Sequence, residues 1–486
     1  MKLTTVALLL STAGLAAEVP KIWDDKALAD WATPVAGLNI RPGHFSEREY
    51  YAAPVDNLRT YPVYDPEREP VGYWETLQKK TPEPLVEIGR PRSAADWVRD
   101  GRRVFEELDF QRSRLYDPQI IAMARSQGEV KKSRATVLGD GTLFGLRWVV
   151  TAKGIALSLS ACALCHTRIM PDGSLLRGAP RNTAVRALAV PLTAQATAVL
   201  FPGDSSQIAD YRSFGVPWIN PDIHEELNTM QPADLKLLNS RPAGVFARFN
   251  GSPFYPSKVP DLIGVASRKY FDHTATHRQR GIGDLMRYAA LVMTADSADF
   301  GRFKMFADHQ RRVLYRYPDE LLYALATYLY SLEPPPNPNP FDERAAAGEK
   351  IFAREGCTLC HTPPLYTSNK LTLAQGFTPP KEHFKILDIL DACVGTDPNL
   401  ALKTRKGTGY YKPPSLKGVW YRGLYLHDGS VASLEEMFDP GRLSDDHVPG
   451  GFKGYKIEHR AIPGHEFGLR LSPEDRARLI AFLRTL

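Results

Sequence analysis

The ten residues ACALCHTRIM (161–170) set two cysteines two positions apart and put a histidine directly after them; GCTLCHTPPL (356–365) repeats the arrangement 195 positions later. The chain has five cysteines, and these two sites use four of them. Two thiols on one helical turn can reach two points on the rim of a flat macrocycle, while the following residue turns its imidazole towards the centre. Cys162, Cys165 and His166, and again Cys357, Cys360 and His361, therefore match the attachment signature of c-type haem, with thioethers to the two vinyl groups and the histidine as proximal iron ligand. A zinc site would need the two distant pairs to converge and would leave each trailing histidine incidental. A thioredoxin-like CxxC is not expected twice with a histidine each time. Two covalently attached haems, each carrying iron, are the reading that follows. The fifth cysteine, Cys393 in LDACVGTDP, reads as a small buried apolar residue rather than a reactive thiol.

The opening stretch MKLTTVALLLSTAGLAAEVP has a lysine, a short apolar run and small residues before Glu18. It predicts a secretory signal over 1–17, too short to span a bilayer, and a periplasmic or secreted protein. No later apolar run approaches the roughly 18 residues of a membrane helix. An odd cysteine count in an oxidising compartment argues against a disulfide framework. The 61 basic and 55 acidic residues are well mixed, giving +6 with no dense basic run, so nucleic acid is not an expected partner. A redox partner protein or a small-molecule substrate is.

At 486 residues more than one domain is expected. SKVPDLIGVASRKYFDH (257–273) aligns with YKPPSLKGVWYRGLYLH (411–427) at a constant shift of 154, matching Lys258/Lys412, Pro260/Pro414, Gly264/Gly418, Arg268/Arg422 and His273/His427. The same shift lays ELLYALATYLYSL (320–332) on EDRARLIAFLRTL (474–486), a terminal helix for each half. The haem motifs stand 195 apart, so the first half carries about 41 extra residues after its motif. EPPPNPNP (333–340) reads as a stiff link. FDERAAAGEKIFAREGC predicts a helix running into the second motif; AADWVRDGRRVFEEL (94–108) is its counterpart, parted from Cys162 by a long insertion. Ser472-Pro473-Glu474-Asp475 is a helix start. The division expected is a signal (1–17), an N-terminal extension wrapped on the first module (18–93), a first cytochrome c-like haem domain (94–333), a Pro-rich link (334–340) and a second haem domain (341–486). Strand signals are sparse. The expected fold is mainly α, two cytochrome c-like modules in tandem with long loops.

With YKPPSLKGVWYRGLYLHDGS (411–430) and both CxxCH sites in view, residues 96–486 resemble the bacterial dihaem cytochrome c peroxidase and MauG superfamily. GLRWVVTAKGIALSLSACALCHTRIMPDG (145–173) and GHEFGLRLSPEDRARLIAFL (464–483) look most like its rubber-oxygenase branch. The resemblance implies one haem open to peroxide or oxygen and a second, closed by two protein ligands, that relays electrons. It implies His465 as the second axial ligand of the second haem, with Met437 in LEEMFDP as the rival; a methionine would raise the potential relative to histidine. Where superfamily members carry an inter-haem tryptophan this chain has His273, which puts tryptophan-mediated radical transfer in doubt. His277, Met286 and Tyr288 are candidates for the first distal pocket, against readings as a capping histidine, a core methionine and a packed tyrosine. Arg268 and Arg422 are candidate partners of haem propionates or solvated surface arginines.

Two functions remain open on the sequence: an exported dihaem peroxidase or oxygenase, with Tyr288, His273 and His277 as its candidate reactive-site residues, and a non-catalytic dihaem electron carrier. The carrier needs both irons doubly ligated, with His277 or a methionine closing the first. A module of a larger respiratory complex is a third possibility.

Overall fold

A computed structural model describes residues 18–133, 135–183, 215–230, 234, 241–246, 252–293, 299–305 and 313–486. The expected signal over 1–17 lies outside them, as does much of the stretch that holds the extra residues of the first half.

Two helix pairs organise the chain. Helix α1 (Ala94–Glu107) packs on α3 (Asp319–Tyr330), with α2 (Ile282–Met293) beside it, and α4 (Glu343–Arg354) packs on α5 (Pro473–Arg484). Each first helix is capped by its own sequence: Ser93 and Asp96 form a capping box, and Asp342 accepts from the Ala345 amide. Ser472 caps α5 as expected. The crossings are built alike. A Cβ on Gly101 would lie 1.9 Å from the Ala324 carbonyl oxygen, and one on Gly348 would lie 2.0 Å from that of Arg478. Only glycine lets the backbones approach so closely. Phe105 packs on Tyr328 and Phe352 on Phe482, with ring centres 5.6 and 5.3 Å apart. Ala324/Arg478 and Tyr328/Phe482 obey the 154-residue shift found in the sequence.

The insertion after α1 is a closed excursion. The Ala161 amide donates to the Leu108 carbonyl at 2.7 Å and Ala163 to Phe105, so the chain returns to the helix end it left. Within it, strands β2 (Thr142–Thr151) and β3 (Gly154–Leu159) pair with each other and with β1 (Thr60–Tyr64) of the N-terminal segment, an antiparallel sheet in the order β1-β2-β3. Its apolar face holds Val63, Leu146, Trp148 and Leu157, and buried Arg114 pairs with Asp109 and Asp56 at 2.8 and 2.7 Å at its foot. The second half has a small sheet of β4 (Leu371–Leu373), β5 (Ile389–Cys393) and β6 (Tyr410–Tyr411). Helix makes up 31% of the described residues and strand 15%. The helices outweigh the strands, but the sheet content exceeds what the sparse strand signals suggest.

The N-terminal segment does more than wrap the first half. Trp31 donates through Nε1 to the Arg278 carbonyl and Thr33 to Thr276, while Ala36 bonds to Gly407 and Asn39 Oδ1 lies 2.8 Å from His383 Nε2 in the second half. It straddles both. No helix among the described residues is long and apolar enough to cross a membrane.

Candidate functional site

Each CxxCH closes one turn: the His166 amide donates to the Cys162 carbonyl at 3.0 Å and His361 to Cys357 at 2.9 Å. His166 Nδ1 lies 3.1 Å from the Pro260 carbonyl oxygen, and His361 Nδ1 lies 3.2 Å from that of Tyr366, with the Pro414 carbonyl alongside. A carbonyl can only accept. Each Nδ1 therefore carries the proton, and each Nε2 presents a lone pair to a metal. Pro260 and Pro414 are partners in the sequence repeat, so the two turns are steadied by the same device. Burial pushes the Cys162 thiol up to about 12 and that of Cys357 to about 11. These are not the low-pKa thiols of a redox CxxC. Cys165 and Cys360 are likewise unpaired by any disulfide. Cys393 is exposed at the end of β5, which corrects the expectation of a buried apolar residue.

Opposite the second motif stands His465, its ring centre 6.3 Å from that of His361. Metal–nitrogen bonds of about 2.0 Å on either side, extended by the ring radii, give a span of about 6 Å, so one metal fits between them. The loop that carries His465 is held hard. Gly464 sits so close to Gly395 that a Cβ would come within 2.1 Å of its carbonyl carbon. His465 itself adopts φ 49°, and its amide donates to Val394 at 2.6 Å. Arg442, with no accessible surface, donates to the carbonyls of Met437, Ile462, Gly464 and His465. Burial pushes His465 down to about 3, with His361 and Arg442 adding to it, so its imidazole is neutral and able to ligate. Its Nδ1 is buried with no hydrogen-bond partner. Met437, the rival ligand, packs in the apolar cluster of Phe352, Leu434, Phe438 and Leu479.

Around the first motif, Cys162 and Ala163 pack against a core containing Val265, Phe271, Leu285 and Met286. Met286 is fully buried, the core reading of that residue. Tyr288 stacks on Phe271 with ring centres 4.5 Å apart, and its hydroxyl donates to Asp272. His277 is buried among Trp31, His44 and Tyr288, at ring-centre distances of 4.2, 5.3 and 5.8 Å. It is neither a surface nor a capping residue. Its Nδ1 meets Thr276 Oγ1 at 3.0 Å, and its Nε2 is buried without a hydrogen-bond partner. His273 stands apart from that cluster and donates through Nε2 to the Lys258 carbonyl at 2.8 Å.

His273 belongs to the seam between the halves. The Lys258 amide donates to the His427 carbonyl and the Lys412 amide to the His273 carbonyl, both at 2.8 Å. Lys258 Nζ donates to the Leu424 carbonyl and Lys412 Nζ to that of Tyr270, at 2.8 and 2.9 Å. Every one of these pairs obeys the shift of 154, so the contact is a local two-fold within one chain. The backbones agree as well: Gly264/Gly418, Asp272/Leu426 and Ala275/Gly429 all have positive φ. Arg422 pairs with buried Asp261 at 2.8 Å, and Arg268 donates to the Ile263 carbonyl. Neither is a solvated surface arginine. Elsewhere, Asp222, His224 and Ser252 are hydrogen-bonded in series, but Ser252 is fully buried and its Oγ accepts the Phe254 and Tyr255 amides. That chain braces a loop.

The residues at both motifs thus suit a covalently held haem: thiols on one turn, a lone pair from each following histidine, and at the second motif another imidazole at coordinating span. No protein-family model matches the chain. An uncharacterized protein, y4iJ of Sinorhizobium fredii, is 30% identical over 105 residues, 16% of this chain and 18% of that protein's length. Among solved structures, Kuenenia stuttgartiensis hydrazine synthase aligns at a TM-score of 0.30 and 14% identity, over 51% of this chain and 77% of that one. A MauG-like protein associated with microbial copper homeostasis aligns at 0.23 and 18%, over 38% and 61%. At these TM-scores neither likeness bears on fold or function.

Proposed function

We propose that the protein is an exported dihaem c-type cytochrome oxidoreductase of the cytochrome c peroxidase and MauG type. In this reading one haem reacts with peroxide or oxygen, and the other relays electrons. The observation that carries it is the His361–His465 pair, whose 6.3 Å span suits an iron closed on both faces. Bound haem would supply the redox chemistry. The chain's own residues divide the work. Cys357 and Cys360 would hold the second group, Arg442 keeps the His465 loop in place, and the neutral imidazoles of His361 and His465 would ligate its iron. Cys162, Cys165 and His166 would hold the first group against the core that contains Phe271, on which Tyr288 stacks. There Asp272 fixes the Tyr288 hydroxyl, a group able to hold or pass a proton at a reacting oxygen. The unequal surroundings of the two motifs favour unequal roles.

A second reading, a pure electron carrier, is favoured by one observation: His277 keeps a buried Nε2 with no partner and could close the first iron. Low-temperature EPR of the purified protein, with and without peroxide, separates the two. The oxidoreductase gives one bis-histidine low-spin signal and one high-spin signal that peroxide alters. Two low-spin signals indifferent to peroxide and oxygen would establish the carrier.

A further inference from the structure

The seam between the halves carries buried positive charge that the described residues do not neutralise. Asp261 is paired with Arg422, and Asp272 with Lys406. Lys258, Lys412 and Arg268 are left with carbonyl oxygens, and none has a carboxylate within salt-bridge distance among the described residues. All three are half-buried at the seam. Carbonyl dipoles alone do not repay the desolvation of a cation. Burial, with arginines close by and only partly offset by the charges of Asp261 and Asp272, pushes Lys258 and Lys412 down to about 7. An anionic group at the seam would relieve that burden.

We propose that Lys258, Lys412 and Arg268 form a carboxylate-binding seam that neutralises the haem propionates at the contact between the two halves. The inference rests on the dihaem reading above and adds what holds the other edge of each macrocycle. Thioethers fix one rim, and the propionates lie across the ring from them. The two-fold arrangement gives each half one lysine that also grips a carbonyl of the other half, through Leu424 and Tyr270. Cofactor binding and docking of the halves are therefore one event. A fixed cation beside a propionate also favours the reduced iron, which carries less positive charge.

The test is an optical redox titration of the haem-loaded protein and its Lys258→Gln, Lys412→Gln, Lys258→Arg and Lys412→Arg variants, with haem content measured on each. Glutamine can still donate to the carbonyl but carries no charge. Each Gln variant is expected to lower one haem's midpoint potential, changing the ratio of oxidised to reduced iron at fixed potential by about tenfold, or 59 mV for one electron. The Arg variants are expected to stay within about twofold of the parent. Gln variants that titrate with the parent, or Arg variants displaced as far as Gln, overturn the inference. Should a Gln variant lose its haem, full loading of the matching Arg variant supports the inference and equal loss in both overturns it. A parent protein without covalent haem would instead overturn the dihaem reading itself.

Discussion

At the scale of single residues, the second motif makes the firmest commitments. Replacing His465 by alanine should convert one low-spin haem to high spin while leaving the other unchanged, a difference that EPR reads directly. Methionine at the same place should keep the low-spin state at a raised potential. Loss of neither signal would mean that another residue closes that iron. Arg442 acts one step removed. Arg442→Met strands buried carbonyls at about 1–3 kcal/mol each. The variant should therefore melt earlier, and its second haem should show a mixture of spin states as the His465 loop loosens. A lower melting temperature with an unmixed spectrum would separate general stability from positioning. The sequence put His465 in view through the GHE loop but was silent on Arg442. Four carbonyl acceptors drawn from two distant stretches leave no local signature.

At the scale of elements, the helices were legible and the sheet was not. Ser93, Asp342 and Ser472 announce helix starts through local chemistry, and the structure begins helices directly after each. Nothing in the sequence around Gly101 and Gly348 marks them as crossing points. Their shared setting, a glycine three residues before Val104-Phe105 and Ile351-Phe352, becomes meaningful only once Ala324 and Arg478 are seen against them. Gly101→Val and Gly348→Val should each destabilise their own helix pair by about 1–3 kcal/mol or more through overpacking. Thermal melts followed at the two haem bands would show which half fails first. A valine tolerated at either crossing would mean that the helices can slide apart freely. The sheet leaves little trace in the sequence because two of its strands lie in an insertion and pair with a segment some 80 residues earlier. Trp148 and Leu157 alternate with polar neighbours only over a short run, which sequence pattern alone reads poorly. The N-terminal segment was likewise read as belonging to one half, since its bonds to Gly407 and His383 span well over 300 residues.

For the molecule as a whole, the repeat was the most informative part of the sequence. Its matched pairs reappear as matched hydrogen bonds, with Lys258 and Lys412 exchanging roles across the seam. What the alignment could not convey was that the repeated segments face one another. A Cys357→Ser/Cys360→Ser variant removes the second attachment site. It should halve the covalent haem measured by mass, and it should sensitise the chain to protease near residues 333–340 if the halves depend on the cofactor to dock. Intact mass with two haems in that variant would disprove attachment at Cys357 and Cys360.

The proline-rich link is fastened rather than slack: Asn337 donates through Nδ2 to the Arg484 carbonyl at 2.8 Å, and Phe341 lies edge-on to Phe482. The connecting strap is thus pinned to the last helix, and the N-terminal segment is laid over both halves, so the described parts of the two halves are tied together at two places. Electrons crossing from one iron to the other would then travel a path of constant length, and thickening the solvent with glycerol should leave their rate untouched.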